Sequence, residues 1–200
     1  MNELSKEKRI ILASGSPYRK ELLSRLQLPF EIIIPDIDET PLPGETPETT
    51  ALRLAQQKAQ QVAKNAANAI IIGSDQVATM GQIQIGKPGN HDNALRQLQM
   101  MRGQKVIFHS ALCVVDNCVP EPAIQLANIQ TVVTFRNLPD AELDAYLRIE
   151  QPYDCAGSAK NEGLGIAIIE QIDSSDPTAL TGLPLIALTS MLRKAGVAFF

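Results

Sequence analysis

Short apolar runs and longer amphipathic stretches alternate along this chain. Ile10-Ile11-Leu12 is a continuous run that predicts a buried strand; it empties into Ala13-Ser14-Gly15-Ser16 and then Pro17, a residue suited to the first turn of a helix. That helix runs to about Leu26, and Phe30 to Ile34 reads as a second strand ending at Pro35. Leu52, Ala55, Ala59, Val62 and Ala63 recur at the spacing of one helix face. They predict a long helix capped by Thr46 or Thr49 and running to about Ala67, with Lys58 at the margin of the stripe. Ala69 to Gly73 is apolar throughout, as in a strand covered on both faces, and it ends in Ser74-Asp75-Gln76. Val77 to Ile85 alternates around Gly81 in the manner of a hairpin. A helix from Asn90 or Asp92 to about Met101 precedes two long strands, Val106 to Val115 and Ile124 to Phe135. The remainder reads as a helix from Pro139 to Ile149, a Gly-rich loop from Gln151 to Gly165, a strand from Ile166 to Ile172 and a helix from Leu183 to Ala195. Interleaved strands and helices place the chain in the α/β class.

Composition narrows the candidate functions. Two hundred residues, 44% hydrophobic and 20% charged, suit one globular domain or one elongated domain of two lobes. The net charge is −4 with no block of Lys or Arg, which argues against a nucleic-acid polymer as partner but leaves room for a basic pocket around one nucleotide. Met1 to Arg9 is polar, without the apolar core of a signal peptide, and no apolar run approaches membrane-spanning length. Cys113, Cys118 and Cys155 are odd in number and lack metal-type spacing, so reduced thiols in a cytoplasmic protein are expected.

The strand-to-helix turn at Ser14-Gly15-Ser16 carries the first chemical signal. Small residues let backbone approach a ligand, a helix N-terminus offers free N–H groups, and Arg19 adds a guanidinium, which together make a seat for phosphate. The same pattern also describes an ordinary turn capped by Ser. Asp75 follows a strand at the sheet edge where α/β proteins bind ligands, and reads either as a base or metal ligand or as a turn carboxylate. Glu39, with Asp36 and Asp38 beside it, offers the hard oxygens that magnesium prefers, or simply a solvated acidic loop. Lys87 stands in Gly86-Lys87-Pro88, which imitates a Walker A loop only superficially, because Pro88 supplies neither a hydroxyl nor an N–H. His91 and His109 are isolated, and His109 reads as a hydrogen-bonded residue of a strand.

In order along the chain stand Leu12-Ala13-Ser14-Gly15-Ser16-Pro17 with Arg19, Asp38-Glu39, Gln57-Lys58-Ala59, Gly73-Ser74-Asp75-Gln76, Gly86-Lys87-Pro88, Ala156-Gly157 and Gly182-Leu183-Pro184. Together they resemble the Maf family of nucleotide pyrophosphatases. The resemblance implies an α/β fold of the Maf/inosine-triphosphatase-like kind, a mixed curved sheet with two lobes around a cleft, in one domain spanning residues 1–200 without a separable linker. It implies a homodimer and a divalent metal cation (magnesium, manganese or cobalt). The implied reaction hydrolyses a small-molecule nucleoside triphosphate to monophosphate and pyrophosphate. By position, Asp75 would be the catalytic base and, with Glu39, would hold the metal. Ser14, Ser16, Arg19, Lys58 and Lys87 would surround the phosphates.

Within that resemblance, Tyr18, Gln76 and Glu162 stand where the dTTP/UTP-type branch resembles Arg, Thr and Gln, and so look like the branch acting on 7-methyl-GTP. Methylation at N7 makes guanine cationic, and a cationic base is attracted to an aromatic face and a carboxylate, which Tyr18 and Glu162 can supply. The competing expectations are a dTTP/UTP pyrophosphatase of the same family and a non-catalytic nucleotide-binding regulator of cell division, which would need the phosphate seat but neither Asp75 nor Glu39.

Overall fold

The computed structural model describes residues 8–200, so most of the polar start, residues 1–7, lies outside the described residues. A seven-stranded mixed sheet forms the framework: β1 (Arg9–Ala13), β2 (Glu31–Ile32), β3 (Ala69–Met80), β4 (Ile83–Ile85), β5 (Lys105–Asp116), β6 (Ala123–Phe135) and β7 (Ile169–Ser174). The order is β2-β1-β3-β5-β6-β7, with β4 on β3; β1 is parallel to β2 and β3, and the remaining pairs are antiparallel. The helices are α1 (Pro17–Ser24), α2 (Pro47–Ala63), α3 (His91–Met101), α4 (Asp140–Glu150) and α5 (Leu185–Lys194).

Side chains alternate across a strand, and this period of two sorts the core. Ile10, Leu12, Ile70, Ile72, Leu112 and Val114 face α1 and α5, packing on Leu22, Leu23, Leu188 and Leu192. Their odd-numbered neighbours Ile11, Ile71, Cys113 and Val115 face α2 through Ala51, Ala55, Ala59 and Val62. The apolar run at Ile70 to Ile72 is therefore covered on both faces, as its composition requires. Further along the same strands, Ala78, Val106, Phe108, Val133 and Phe135 join α3 and α4 in a separate cluster. The long strands β3 and β5 thus run from one lobe into the other.

The cleft between the lobes originates in strand pairing. One edge of β3 is bonded to β5 along nearly its whole length. On the other edge, Ala69 to Gly73 pair with β1 and Ala78 to Met80 pair with β4. Residues 74 to 77 fall in the gap, with a polar triplet in their midst. This corrects the expectation that a strand ends at Gly73 and a separate hairpin begins at Val77. The strand continues through Ser74-Asp75-Gln76 because these side chains find partners in α2, β5 and the segment before α5.

Smaller corrections have equally local causes. Between Pro29 and Pro35, only Glu31–Ile32 enters the sheet, as a short edge strand. The helix expected to reach Ala67 stops at Ala63, and Thr46 caps it in a reciprocal bond with Thr49. Leu164–Ile168 forms 3-10 turns, so β7 begins at Ile169 instead of Ile166.

Candidate active site

A cleft of ≈ 560 Å³ opens over the β3 gap, lined by the β1–α1 turn, α2, the loop after β4, residues 154–156, 159, 161 and 162, and residues 180–182. All ten predicted site residues line it: Ser14, Ser16, Tyr18, Arg19, Glu39, Lys58, Asp75, Gln76, Lys87 and Glu162.

The alternation of β3 divides the polar triplet. Asp75 points to the α2 face and Ser74 and Gln76 to the opposite one. Gly73 shares the face of Asp75 and lies so close to α2 that a Cβ there would collide with the carbonyl of Ala55 and sit 2.8 Å from the Ala59 nitrogen. This close approach carries Lys58 onto Asp75. The Lys58 ammonium donates to Asp75 Oδ1 at 2.6 Å and pairs with Glu39 Oε1 at 2.8 Å. Lys58 is 6% and Asp75 7% exposed, so an ion pair lies buried at the cleft floor. Lys58 follows Leu54 and precedes Val62 at i,i+4 spacing in the centre of the buried stripe, not at its margin. A lysine is admitted there because two carboxylates receive it.

Of the two roles its sequence suggested for the Ser14–Ser16 turn, the helix cap is the one seen directly. Ser16 caps α1, its Oγ accepting the Arg19 N–H at 3.4 Å, and Pro17 opens the helix. Ser14 is buried; its Oγ accepts the Ser16 N–H at 3.2 Å and an Arg19 guanidinium N–H at 3.4 Å. Arg19 Nε donates to the Gly182 carbonyl at 2.9 Å, and Ser74 Oγ donates to the same carbonyl at 2.9 Å. Gly182 has φ +107, a conformation that explains glycine at this point of Gly182-Leu183-Pro184. Burial lowers the pKa of Arg19, opposed by the charges of Asp75 and Glu39.

Of the acidic loop, only Glu39 reaches the cleft. Asp36 is exposed, and Asp38 folds back to accept the Thr40 N–H at 2.9 Å. Burial pushes the Glu39 carboxyl upward, but Lys58, Arg19 and Lys87 outweigh it and hold the pKa below the usual range. The loop is fastened to α2 by Arg53, which pairs with Glu45 and donates to the Thr40 carbonyl at 3.1 Å. Lys87 is exposed on the loop after β4, across the cleft.

At the other end of the cleft the contacts are longer. The Tyr18 hydroxyl lies 3.5 Å from Asp154 Oδ2 and 3.7 Å from Cys155 Sγ. Burial pushes the Tyr18 phenol up, as do its bond with Cys155 and the nearby carboxylates, so it stays neutral. Lys160, paired with Glu150 at 3.1 Å, stands 6.0 Å over the Tyr18 ring. Glu162 is exposed. Gln76 is committed largely to the frame: its amide N–H2 faces Ser110 Oγ at 2.9 Å and the carbonyls of Ala179 and Leu180 at 3.1 and 3.0 Å, leaving its oxygen for a ligand.

His109 is buried on β5 with Nδ1 beside the Asn128 amide at 3.2 Å, and burial lowers its pKa. His91 joins α3 to Asp144 of α4. Neither lines the cleft. Sequence reasoning missed Asp154, Cys155, Lys160 and the carbonyls before α5; the one usable signal was a Gly-Leu-Pro turn opening a helix.

Among the described residues no three acidic, imidazole or thiol side chains gather as a ready metal cage. Glu39 and Asp75 nevertheless converge on one cationic centre, the Lys58 ammonium, with hard oxygen atoms. Two carboxylates supplemented by substrate phosphates form the usual donor set for a magnesium-type ion, so the residues present fit such a group.

The fold and this cleft define an α/β protein with a charged cleft opened over its central sheet. The model of the Maf-like protein family matches residues 9–195, and the chain belongs to that family. It is 64% identical over 191 residues to a protein of Cupriavidus metallidurans named 7-methyl-GTP pyrophosphatase, covering 96% of this chain and 95% of the relative. Relatives of the same name from Ralstonia nicotianae (61%, covering 96% of this chain and 97% of the relative) and Paraburkholderia xenovorans (60%, covering 98% and 96%) match over nearly the full length. The fold is also similar to that of the Ham1 protein of Staphylococcus aureus, with a TM-score of 0.54 at 14% identity, covering 94% of this chain and 99% of that one.

Proposed function

We propose that this protein hydrolyses 7-methyl-GTP to 7-methyl-GMP and pyrophosphate, water attacking the α-phosphate. The observation that carries the reading is the buried Lys58–Asp75 pair, joined by Glu39 and faced by Arg19, at the floor of a cleft of nucleotide size. Burying these charged groups costs on the order of several kcal/mol per ion, a cost that their use in the reaction would account for. The names of the relatives support the same substrate.

In this mechanism Arg19, Lys87 and the hydroxyls of Ser14 and Ser16 hold the phosphates, where positive groups are worth most as charge develops. Lys58 holds Asp75 by Oδ1, so that Oδ2 accepts the proton of the attacking water. Glu39 and Asp75 would hold a divalent cation, which supplies Lewis-acid neutralisation of the phosphate oxygens when bound. Tyr18 offers its ring to the cationic base, and Glu162 a carboxylate for the guanine N1–H and exocyclic amine. All three cysteines are free thiols and no helix of the described residues is long and apolar enough to cross a membrane, which supports a cytoplasmic setting. Association as a homodimer is part of the same proposal.

Hydrolysis in 18O-labelled water tests the reading. The label is expected in 7-methyl-GMP. Label found in pyrophosphate would place the attack at the β-phosphate and contradict the assigned geometry.

A further inference from the structure

Asp176 is 2% exposed, lies outside the cleft, and has no part in the reaction described above. Its Oδ2 accepts the N–H groups of Ile186 at 2.7 Å and Ala187 at 3.3 Å, in the first turn of α5. Its Oδ1 accepts the N–H of Thr178 at 3.0 Å and the Thr178 hydroxyl at 2.8 Å. The helix needs this help, because Pro184 occupies its N-cap position and offers no side-chain cap. Thr178 Oγ1 also accepts the Leu185 N–H at 2.8 Å and lies 2.8 Å from the Leu183 carbonyl. Residues 176 to 185 are thereby closed into a strap.

The inner side of that strap presents carbonyls to the cleft. Ala179 accepts the Ser110 hydroxyl at 2.7 Å, and Ala179 and Leu180 receive the Gln76 amide. Gly182 receives Ser74 and Arg19 Nε. Arg19 reaches the cleft from α1, and the shorter of its two guanidinium contacts, at 2.9 Å against 3.4 Å to Ser14 Oγ, is to a carbonyl of the strap before α5. The outer end of the strap hangs on a carboxylate that takes four donors. An asparagine there would present one acceptor and turn an N–H2 group toward other donors.

We propose that Asp176 is a positioning residue: it locks the strap so that Gly182 holds Arg19 Nε and aims the remaining guanidinium N–H groups at the nucleotide phosphates. The inference rests on the phosphate role given to Arg19 above. It predicts that loss of Asp176 weakens substrate binding through Arg19 while leaving the groups at Asp75 in place.

The test uses Asp176→Asn and, in case that variant fails to fold, Thr178→Val. In the substrate-free protein, exchange of the Arg19 Nε–H, read by 15N NMR of the guanidinium, is expected to quicken about tenfold or more once its acceptor is loosened. With 7-methyl-GTP as probe, KM is expected to rise about tenfold with kcat within about threefold, the pattern of lost binding as opposed to lost chemistry. A folded variant with unchanged Arg19 exchange and unchanged KM overturns the proposal. Should the wild-type protein not turn over 7-methyl-GTP, the functional reading fails, and the exchange arm still decides whether Asp176 governs Arg19.

Discussion

The two ends of the cleft, to which the proposed function gives the phosphates and the base, are built differently. At the phosphate end, Lys58 and Asp75 are buried and bonded at 2.6 Å, Ser14 is buried, and Arg19 is held from two elements. At the base end, Tyr18 meets Asp154 and Cys155 at 3.5 and 3.7 Å, Glu162 is exposed, and Lys160 stands over the ring at 6.0 Å. Preorganised charge serves chemistry, because groups already in place cost no reorganisation when charge develops. A looser, aromatic and acidic end serves recognition, where small differences of affinity select one base over another. The proposed function therefore gives rate to one end of the cleft and selectivity to the other, and substitutions at the two ends are expected to separate them.

The largest effect is expected at the floor. Asp75→Asn keeps the size of the side chain but removes the proposed base, and kcat should fall about 10²–10⁴-fold for every nucleotide tested. Circular dichroism should show an unchanged fold. A variant retaining near-normal kcat would remove Asp75 from the reaction.

Arg53→Met acts one step further out. It releases the Thr40 carbonyl and Glu45, and so frees the loop that carries Glu39 to Lys58. If Glu39 holds the metal as proposed, the divalent-cation concentration for half-maximal rate should rise about 10–100-fold, the usual effect of losing an outer partner of a metal ligand. Titration with magnesium and manganese checks this; an unchanged metal requirement would separate Glu39 from the metal.

Tyr18→Leu probes the other end. An exposed cation–π contact is worth about 0.5–1 kcal/mol, so the preference for 7-methyl-GTP over GTP should shrink about 2–5-fold with kcat nearly unaltered. A loss of rate equal for both nucleotides would place Tyr18 in the phosphate seat instead.

The smallest effect concerns acid stability. Arg53 holds the Glu45 carboxyl down at about 2, against 4.5 for an ordinary glutamate. A depressed folded pKa contributes stability that is present above pH 4.5 and is lost as pH falls from there toward 2. The thermal midpoint of Glu45→Gln should accordingly decline less steeply than that of the wild type across this window. Parallel curves would show that the pair contributes nothing.

The sequence disclosed the contacts of the Lys58–Asp75 end of the cleft better than those of the Tyr18 end, for a physical reason. A Ser-Gly-Ser-Pro turn, a lysine beside a helical stripe and an aspartate after an apolar run are local patterns, each tied to one element. Their convergence could be named from order along the chain, although Lys58 lies deeper than its wheel position indicated. The strap was illegible because its bonds join Asp176 and Gly182 to Arg19, Ser74 and Gln76, residues far away in the chain. Asp154 and Lys160 were missed because nothing in a Gly-rich loop shows which side chains will face Tyr18. The continuous course of β3 escaped notice too, since polar residues in a strand are tolerated only when distant partners satisfy them.

The division of labour is tested most directly by turnover of 7-methyl-GTP, GTP, dTTP and UTP under one set of conditions. The account predicts the highest kcat/KM for 7-methyl-GTP, with GTP, dTTP and UTP below it and pyrophosphate released in each case. A preference for dTTP or UTP would contradict the assignment of Tyr18 and Glu162 to a cationic base, and with it the central claim.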